Sequence, residues 1–168
     1  MTTADPEIRL LAGADAVPYR DIRLDGLRRN PEAFASTFED EREKPLDWFR
    51  ERLTQSRIFG AFIAQELVGV VGLRAHDDAK QRHKAVLWGM YVRCEARQYG
   101  VGVRLVDAAV AHAAGHVEQL QLAVVTENKA ARRLYAKAGF IAYGHQINAL
   151  KQNGTYYDDI LMVKFLGP

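Results

Sequence analysis

Ala85-Val-Leu-Trp-Gly-Met-Tyr-Val92, followed by Arg97-Gln98-Tyr99-Gly100-Val101-Gly102, is the stretch on which the reading of this chain turns. The first segment is apolar and β-rich but broken by Gly89, and a glycine inside a strand marks a bulge or a close approach by another backbone or a ligand. The second lies between that strand and a helical pattern from about Gly100 to Gly115, with Val101, Leu105, Ala108 and Ala109 at i, i+4, i+7 and i+8. Glycines at such a junction let the backbone bend close to a ligand. The helix start offers unpaired N–H donors at the positive end of its dipole. With Arg97 and Arg104 nearby, a phosphate or pyrophosphate is the expected guest.

Upstream, Glu7 to Ala12 reads as a short strand. Asp15 is placed to cap a helix carrying Pro18 in its first turn and Val17, Ile22, Leu24 and Leu27 at helical spacing, stopped by Asn30-Pro31. A second helical stretch covers Ala33 to Glu43, and Pro45 opens a third with Trp48, Phe49 and Leu53. Arg57 to Ala64 and Leu67 to Ala75 predict a hairpin around Gln65-Glu66, although its turn lacks glycine. His76 to Lys84 is a polar surface connection. Downstream, Val117 to Val125 is a buried-looking strand. Asn128 can cap a helix with Ala131, Leu134, Tyr135 and Ala138 on one face, ended by Gly139. Phe140 to Ile147 and Tyr156 to Phe165 are strands flanking a turn at Asn153-Gly154. The order predicts one α/β (α+β) domain with a mixed sheet of about seven strands and helices on both faces.

Composition narrows the classes. The chain has 168 residues, 48% hydrophobic and 26% charged, enough for one core and too apolar for global disorder. Its 23 Lys+Arg against 21 Asp+Glu give a net charge of +2, too balanced for nucleic-acid binding driven by bulk charge. Apolar runs such as Leu67 to Val71 fall far short of the ~20 residues of a membrane span. The N-terminus carries acid where a secretory leader would carry base, so a cytoplasmic protein is expected. Cys94 is the only cysteine, which excludes an internal disulfide and a thiolate metal cage. His112 and His116 have metal-compatible helical spacing but lack the acidic partner of that motif, and no metal is expected.

The phosphate ligand is narrowed by elimination. A nucleotide P-loop needs Gly-Lys-Ser/Thr, and Val103-Arg104 follows Gly102 instead. A dinucleotide fingerprint needs a third small residue where Leu105 stands. Taken alone, the two glycines also fit a plain strand–helix turn.

The strand Leu87-Trp-Gly-Met-Tyr-Val92, Arg97-x-x-Gly100-x-Gly102, Thr126-Glu-Asn128 and Leu134-Tyr135-x-x-x-Gly139-Phe140, in this order, resemble the GNAT superfamily of N-acetyltransferases. The opening Leu27-x-x-Asn-Pro31-Glu-Ala-Phe34 and closing Tyr157-Asp158-Asp-Ile-Leu-Met162 are similar to family members as well. The resemblance implies acetyl-CoA as co-substrate, its pyrophosphate on the loop Arg97, Gln98, Tyr99, Gly100, Val101 and Gly102, with the amides of Val103 or Arg104 contributing. It implies that the pantetheine arm pairs like an extra strand with Met90, Tyr91 and Val92 where the bulged strand parts from Leu122 to Val125, and that Asn128 hydrogen-bonds the same arm. A backbone N–H near Met90 or Tyr91 would serve the oxyanion. Tyr135 matches the general acid that protonates the departing thiolate, although its position equally suits packing.

The sequence departs from relatives that carry a glutamate on the strand matching Ala85 to Val92, which here has no acid. Glu39, Asp40, Glu41 and Glu43, or Asp158 and Asp159, are the acids left to approach the acceptor, and they tilt the expectation toward a cationic amine. The base stays unassigned. Phe34 and Tyr156-Tyr157 could shape the acceptor pocket, and Lys129, Arg132 and Arg133 could approach the 3′-phosphate of CoA. The expected function is direct acetyl transfer to a primary amine in a ternary complex. The alternatives are a non-catalytic acyl-CoA-binding module on the same fold and a nucleotide-dependent enzyme. A homodimer fits the resemblance, with no interface indicated.

Overall fold

The computed structural model describes residues 5–168. Its strands are β1 (Glu7–Leu10), β2 (Arg57–Ile63), β3 (Glu66–Ala75), β4 (Lys84–Val92), β5 (Gln119–Val125), β6 (Ile141–Gln152) and β7 (Thr155–Phe165). The helices are α1 (Ala16–Arg29), α2 (Phe38–Arg42), α3 (Leu46–Gln55), α4 (Val101–Ala113) and α5 (Lys129–Lys137). The strands form one seven-stranded sheet in the order β1-β2-β3-β4-β5-β7-β6. Every neighbouring pair is antiparallel except β4–β5, which is parallel and spans only Lys84–Val86 against Gln119–Gln121.

That short seam follows from Gly89. Val70 pairs with Tyr91 and Gly72 with Trp88, so Gly89 and Met90 together oppose the single residue Val71. Gly89 has φ +62°, a left-handed conformation that glycine adopts without a Cβ penalty. The extra residue bends β4, and the ladder to β5 ends at Val86, just ahead of that bend.

Alternation along the strands buries both faces. On one side α4 and α5 cover a cluster that includes Leu105, Val106, Leu120 and Tyr135. On the other, α1 and α3 cover Tyr19, Ile22, Ile58 and Phe49. Phe49 is fully buried and meets Tyr19 edge-on with ring centroids 6.2 Å apart. No helix among the described residues is long and apolar enough to cross a membrane.

Several local expectations are corrected. The stretch from Ala33 to Glu43 is not one helix: a 3₁₀ turn at Pro31–Ala33 is followed by extended chain and then the short α2. The Thr37 hydroxyl accepts the Asp40 N–H at 3.2 Å, and a threonine that caps starts a new helix rather than continuing an old one. Asp15 does not cap α1 with its side chain; its carboxylate accepts the Ala12 N–H and binds Arg9, both at 2.8 Å. The buried stripe of α1 is Ala16, Tyr19, Ile22, Arg23, Gly26 and Leu27, with Val17 outside it and exposed. The β2–β3 turn falls at Ala64-Gln65, both at positive φ. β6 extends to Gln152, five residues past the expected end at Ile147.

Candidate active site

The divergence of β4 and β5 opens a cleft of about 520 Å³. Met90, Tyr91 and Val92 form one wall, and Val125, Glu127, Asn128, Ala131 and Leu134 form the other. The turn Asn30–Phe34 closes one rim, and Gly100, Gly102 and Val103 lie at the end where α4 begins. Gly100, at φ +68°, delivers the chain into α4 with no side-chain cap. Arg104 is the first residue of that helix whose N–H reaches back, to the Gly100 carbonyl at 3.2 Å. The amides of Val101, Gly102 and Val103 therefore stay available at the positive helix end.

Eight of the twelve residues expected to bind the cofactor thus line one cleft, Met90, Tyr91, Val92, Arg97, Gly100, Gly102, Val103 and Asn128, and Phe34, expected at the acceptor pocket, lines it too. The others stand apart from its lining. Gln98 and Tyr99 are exposed, and the Val101 side chain is fully buried in the core, leaving only its backbone. The Arg104 side chain is bound to Asp5 at 2.6 Å. Arg97 donates from Nε to the Val92 carbonyl at 3.0 Å, tying the loop before α4 to the end of β4. The Asn128 carboxamide oxygen accepts the Ala131 N–H at 3.2 Å, the helix cap expected of it.

Beside the cleft, α1 carries a polar network the sequence reading missed. Tyr91 donates its hydroxyl proton to Asp25 at 2.8 Å, and burial together with that bond pushes the phenol up to about 12. Arg23 lies on the buried stripe of α1, with its side chain 6% exposed. It binds both Glu41 carboxylate oxygens, at 2.9 and 2.8 Å, and Arg52 adds a contact to Oε1 at 3.2 Å. Burial disfavours a charged Glu41, but Arg23 and Arg52 outweigh it and hold the carboxyl below its ordinary range. The signal for Arg23 was present: a charged residue at a core position of an apolar period needs a buried partner.

A family model described as the acetyltransferase (GNAT) family matches residues 24–140. The chain belongs to the GNAT acetyltransferase family. No curated protein matches it. Among solved structures, a GNAT-family acetyltransferase from Streptococcus pneumoniae is 24% identical with a TM-score of 0.84, over 96% of this chain and 99% of that one. A ribosomal-protein-alanine N-acetyltransferase from Brucella melitensis is 22% identical, TM-score 0.79, over 95% and 99%. The yncA protein of Salmonella typhimurium, solved with its cofactor acetyl-CoA, is 16% identical, TM-score 0.82, over 98% and 96%. The single-domain, seven-stranded arrangement with helices on both faces is therefore the GNAT fold.

In this GNAT domain the acid–base candidates have distinct surroundings. Tyr135 is buried against Phe140, ring centroids 5.9 Å apart, behind the cleft-lining Leu134; burial pushes its phenol up, and its hydroxyl makes no hydrogen bond among the described residues. Glu39, Asp40 and Glu43 are exposed, while Glu41 is consumed by its arginines. Asp158 is held below its ordinary range by the Asn148 N–H and by His145, each at 2.8 Å. Asp159 is different: it pairs in register with the cleft residue Val125, and its Oδ1 is buried without a partner. Burial, then Asp158 and Glu127, push its carboxyl above the ordinary value. No group of three or more metal-ligating side chains occurs among the described residues.

Proposed function

We propose that this protein transfers the acetyl group of acetyl-CoA to a primary amine by direct attack in a ternary complex. The observation that carries this reading is the cleft between the splayed strands, where β4 has no ladder partner in β5 past Val86 and the uncapped start of α4 lies at the end. A diphosphate suits the amides from Val101 to Val103, with Arg97 beside them. An amide-bearing arm suits the open edge of β4, as an added strand.

In the reaction, the amine nitrogen forms a bond to the thioester carbonyl carbon, the C–S bond breaks, and a proton returns to sulfur. An N–H at Met90 or Tyr91 would stabilise the oxyanion. Tyr135 would supply the proton; a phenol raised by burial stays protonated at neutral pH, and desolvation in the cleft raises the basicity of the thiolate that takes it. Asp159, with its raised carboxyl on the strand next to Val125, is the acid best suited to receive the proton lost by the amine. A second reading, acyl-CoA binding without catalysis, is favoured by the position of Tyr135 in the core behind the cleft wall.

Acetyl-CoA should raise the melting temperature, and an amine should then release free thiol. Saturable CoA binding with no thiol release across a broad amine panel would select the second reading. Tyr135→Phe should lower kcat about a hundredfold, within the usual span of a lost general acid, while acetyl-CoA affinity measured by titration calorimetry stays unchanged. Full turnover in that variant, with chemistry rate-limiting, would remove Tyr135 from the mechanism.

Asp159→Asn should separate activity from stability. A carboxyl whose folded pKa lies above its unfolded value supports the fold at acid pH and opposes it as pH rises through the folded value. At pH 7 the asparagine variant should therefore melt higher than the native protein, a gain that shrinks toward acid pH in calorimetric scans. Its thiol-release rate should fall at the same time.

A further inference from the structure

We infer that Arg23 forms an anion site for the acceptor, so that the preferred amine carries a carboxylate on the carbon next to its nitrogen. This rests on the acetyltransferase reading above. The Arg23 side chain is more than nine-tenths buried, and Nε and Nη2 are committed to Glu41. Its Nη1 makes no hydrogen bond among the described residues. It is also absent from the fully buried unpaired side-chain atoms there, which are Trp88 Nε1 and Asp159 Oδ1, so this edge still reaches solvent.

The free edge points at the bulge. A Cβ placed on Gly89 would meet Arg23 Nη1 at 3.4 Å and, chain neighbours aside, nothing else within 4 Å. A small open space thus separates the guanidinium from the backbone where β4 leaves β5. The guanidinium is flanked by the rings of Phe34, at 5.1 Å, and Trp88, at 5.8 Å, and Phe34 itself lines the cleft.

Charge favours an anion here. Glu41 faces two guanidinium groups, the buried Arg23 and the part-exposed Arg52, leaving the trio with surplus positive charge. The acids that suggested a cationic acceptor do not offset it, since Glu39, Asp40 and Glu43 are exposed on α2 and its end. Glu127 lines the cleft and Asp159, on β7, pairs in register with the cleft residue Val125, and both suit the ammonium end of the same molecule. An α-amino acid places its two charges one carbon apart. Its carboxylate on Nη1 would therefore hold the nitrogen within reach of a thioester at Met90–Tyr91. A planar fork with one edge free is suited to a carboxylate oxygen.

The test compares the common α-amino acids with their α-carboxamides, each assayed by thiol release from acetyl-CoA. For the side chains that are accepted, kcat/KM should be at least about tenfold higher for the free acid. In Arg23→Gln/Glu41→Gln, which exchanges an ion pair for an amide pair, that preference should disappear; if this variant does not fold, Arg23→Lys should shrink it. Equal rates for acid and carboxamide, or a preference retained in a folded variant, would overturn the inference while leaving the acetyltransferase reading in place. If neither set releases thiol while other amines do, the inference is overturned and the acetyltransferase reading stands; if no amine of a broad panel releases thiol, that reading fails. The anion site is then decided by melting-temperature shifts with N-acetyl amino acids against N-acetyl carboxamides. A shift selective for the acid and lost in the Arg23 variant supports the site; equal shifts overturn it.

Discussion

Gly102→Glu is expected to abolish acetyl-CoA binding in a protein that melts no lower than the native one. A Cβ at this position meets Leu134 Cδ2 at 3.2 Å and Met90 Cε at 3.4 Å, both flexible side-chain ends that can move aside. Replacing a glycine inside a helix gains up to about 1 kcal/mol of propensity, and an acid in the first turn complements the helix dipole. The fold therefore tolerates the change. The cleft does not: the new carboxylate would occupy the place proposed for the diphosphate and repel it. Loss of the charged hydrogen bonds to the helix amides, each worth roughly 1.5–3 kcal/mol, corresponds to at least about a hundredfold in Kd. Titration calorimetry reads the affinity and a melting scan reads the fold. Undiminished binding would move the anion site away from α4.

Glu41→Ala should have the largest effect on stability. It strands the Arg23 guanidinium, whose side chain is 6% exposed, with no carboxylate to face. Breaking a buried pair by removing one partner costs roughly 3–5 kcal/mol, and at 2–4 °C per kcal/mol for a chain of this size the melting temperature should fall by about 10 °C. The sign of the pH dependence follows from the lowered Glu41 pKa. A carboxyl depressed in the folded state supports the fold above its unfolded pKa and loses that support as pH falls through the folded value. The gap between native and variant melting temperatures should thus be widest near neutrality and close in acid. A gap independent of pH would show that packing, not charge, is what Glu41 supplies.

The elements and their order along the chain were legible because their signals are local. Strand periodicity, Gly89 within an apolar strand, the paired glycines at the start of α4 and Asn153-Gly154 between the last strands each name their own conformation. Ala64-Gln65 was displaced by a residue because both adopt positive φ, at 49° and 69°, without a glycine or asparagine to announce it. The flanking β2 and β3 ladder imposes that turn. The break at Thr37 was missed because a threonine amid helix formers reads as helical until its hydroxyl is seen to cap Asp40.

The site was legible in its backbone and much less so in its side chains. The loop from Arg97 to Val103 offers amides and glycines whose spacing marks it, and the structure places Arg97, Gly100, Gly102 and Val103 in the cleft lining. Arg23 and Glu41 stand 18 positions apart on either side of a bend, and no periodicity connects them. Tyr135 satisfies an apolar helix face, so sequence alone leaves packing and chemistry equally served.

The seam between β4 and β5 has a mechanical consequence. With only Lys84–Val86 laced to Gln119–Gln121, the sheet is two plates joined near one corner, and α4, which links β4 to β5 along the chain, packs on the β1–β4 plate. Thermal breathing concentrates at such a joint, because few ladder bonds must open there to part the plates. The geometry that keeps the mouth of the cleft ajar also decides where the sheet first comes undone.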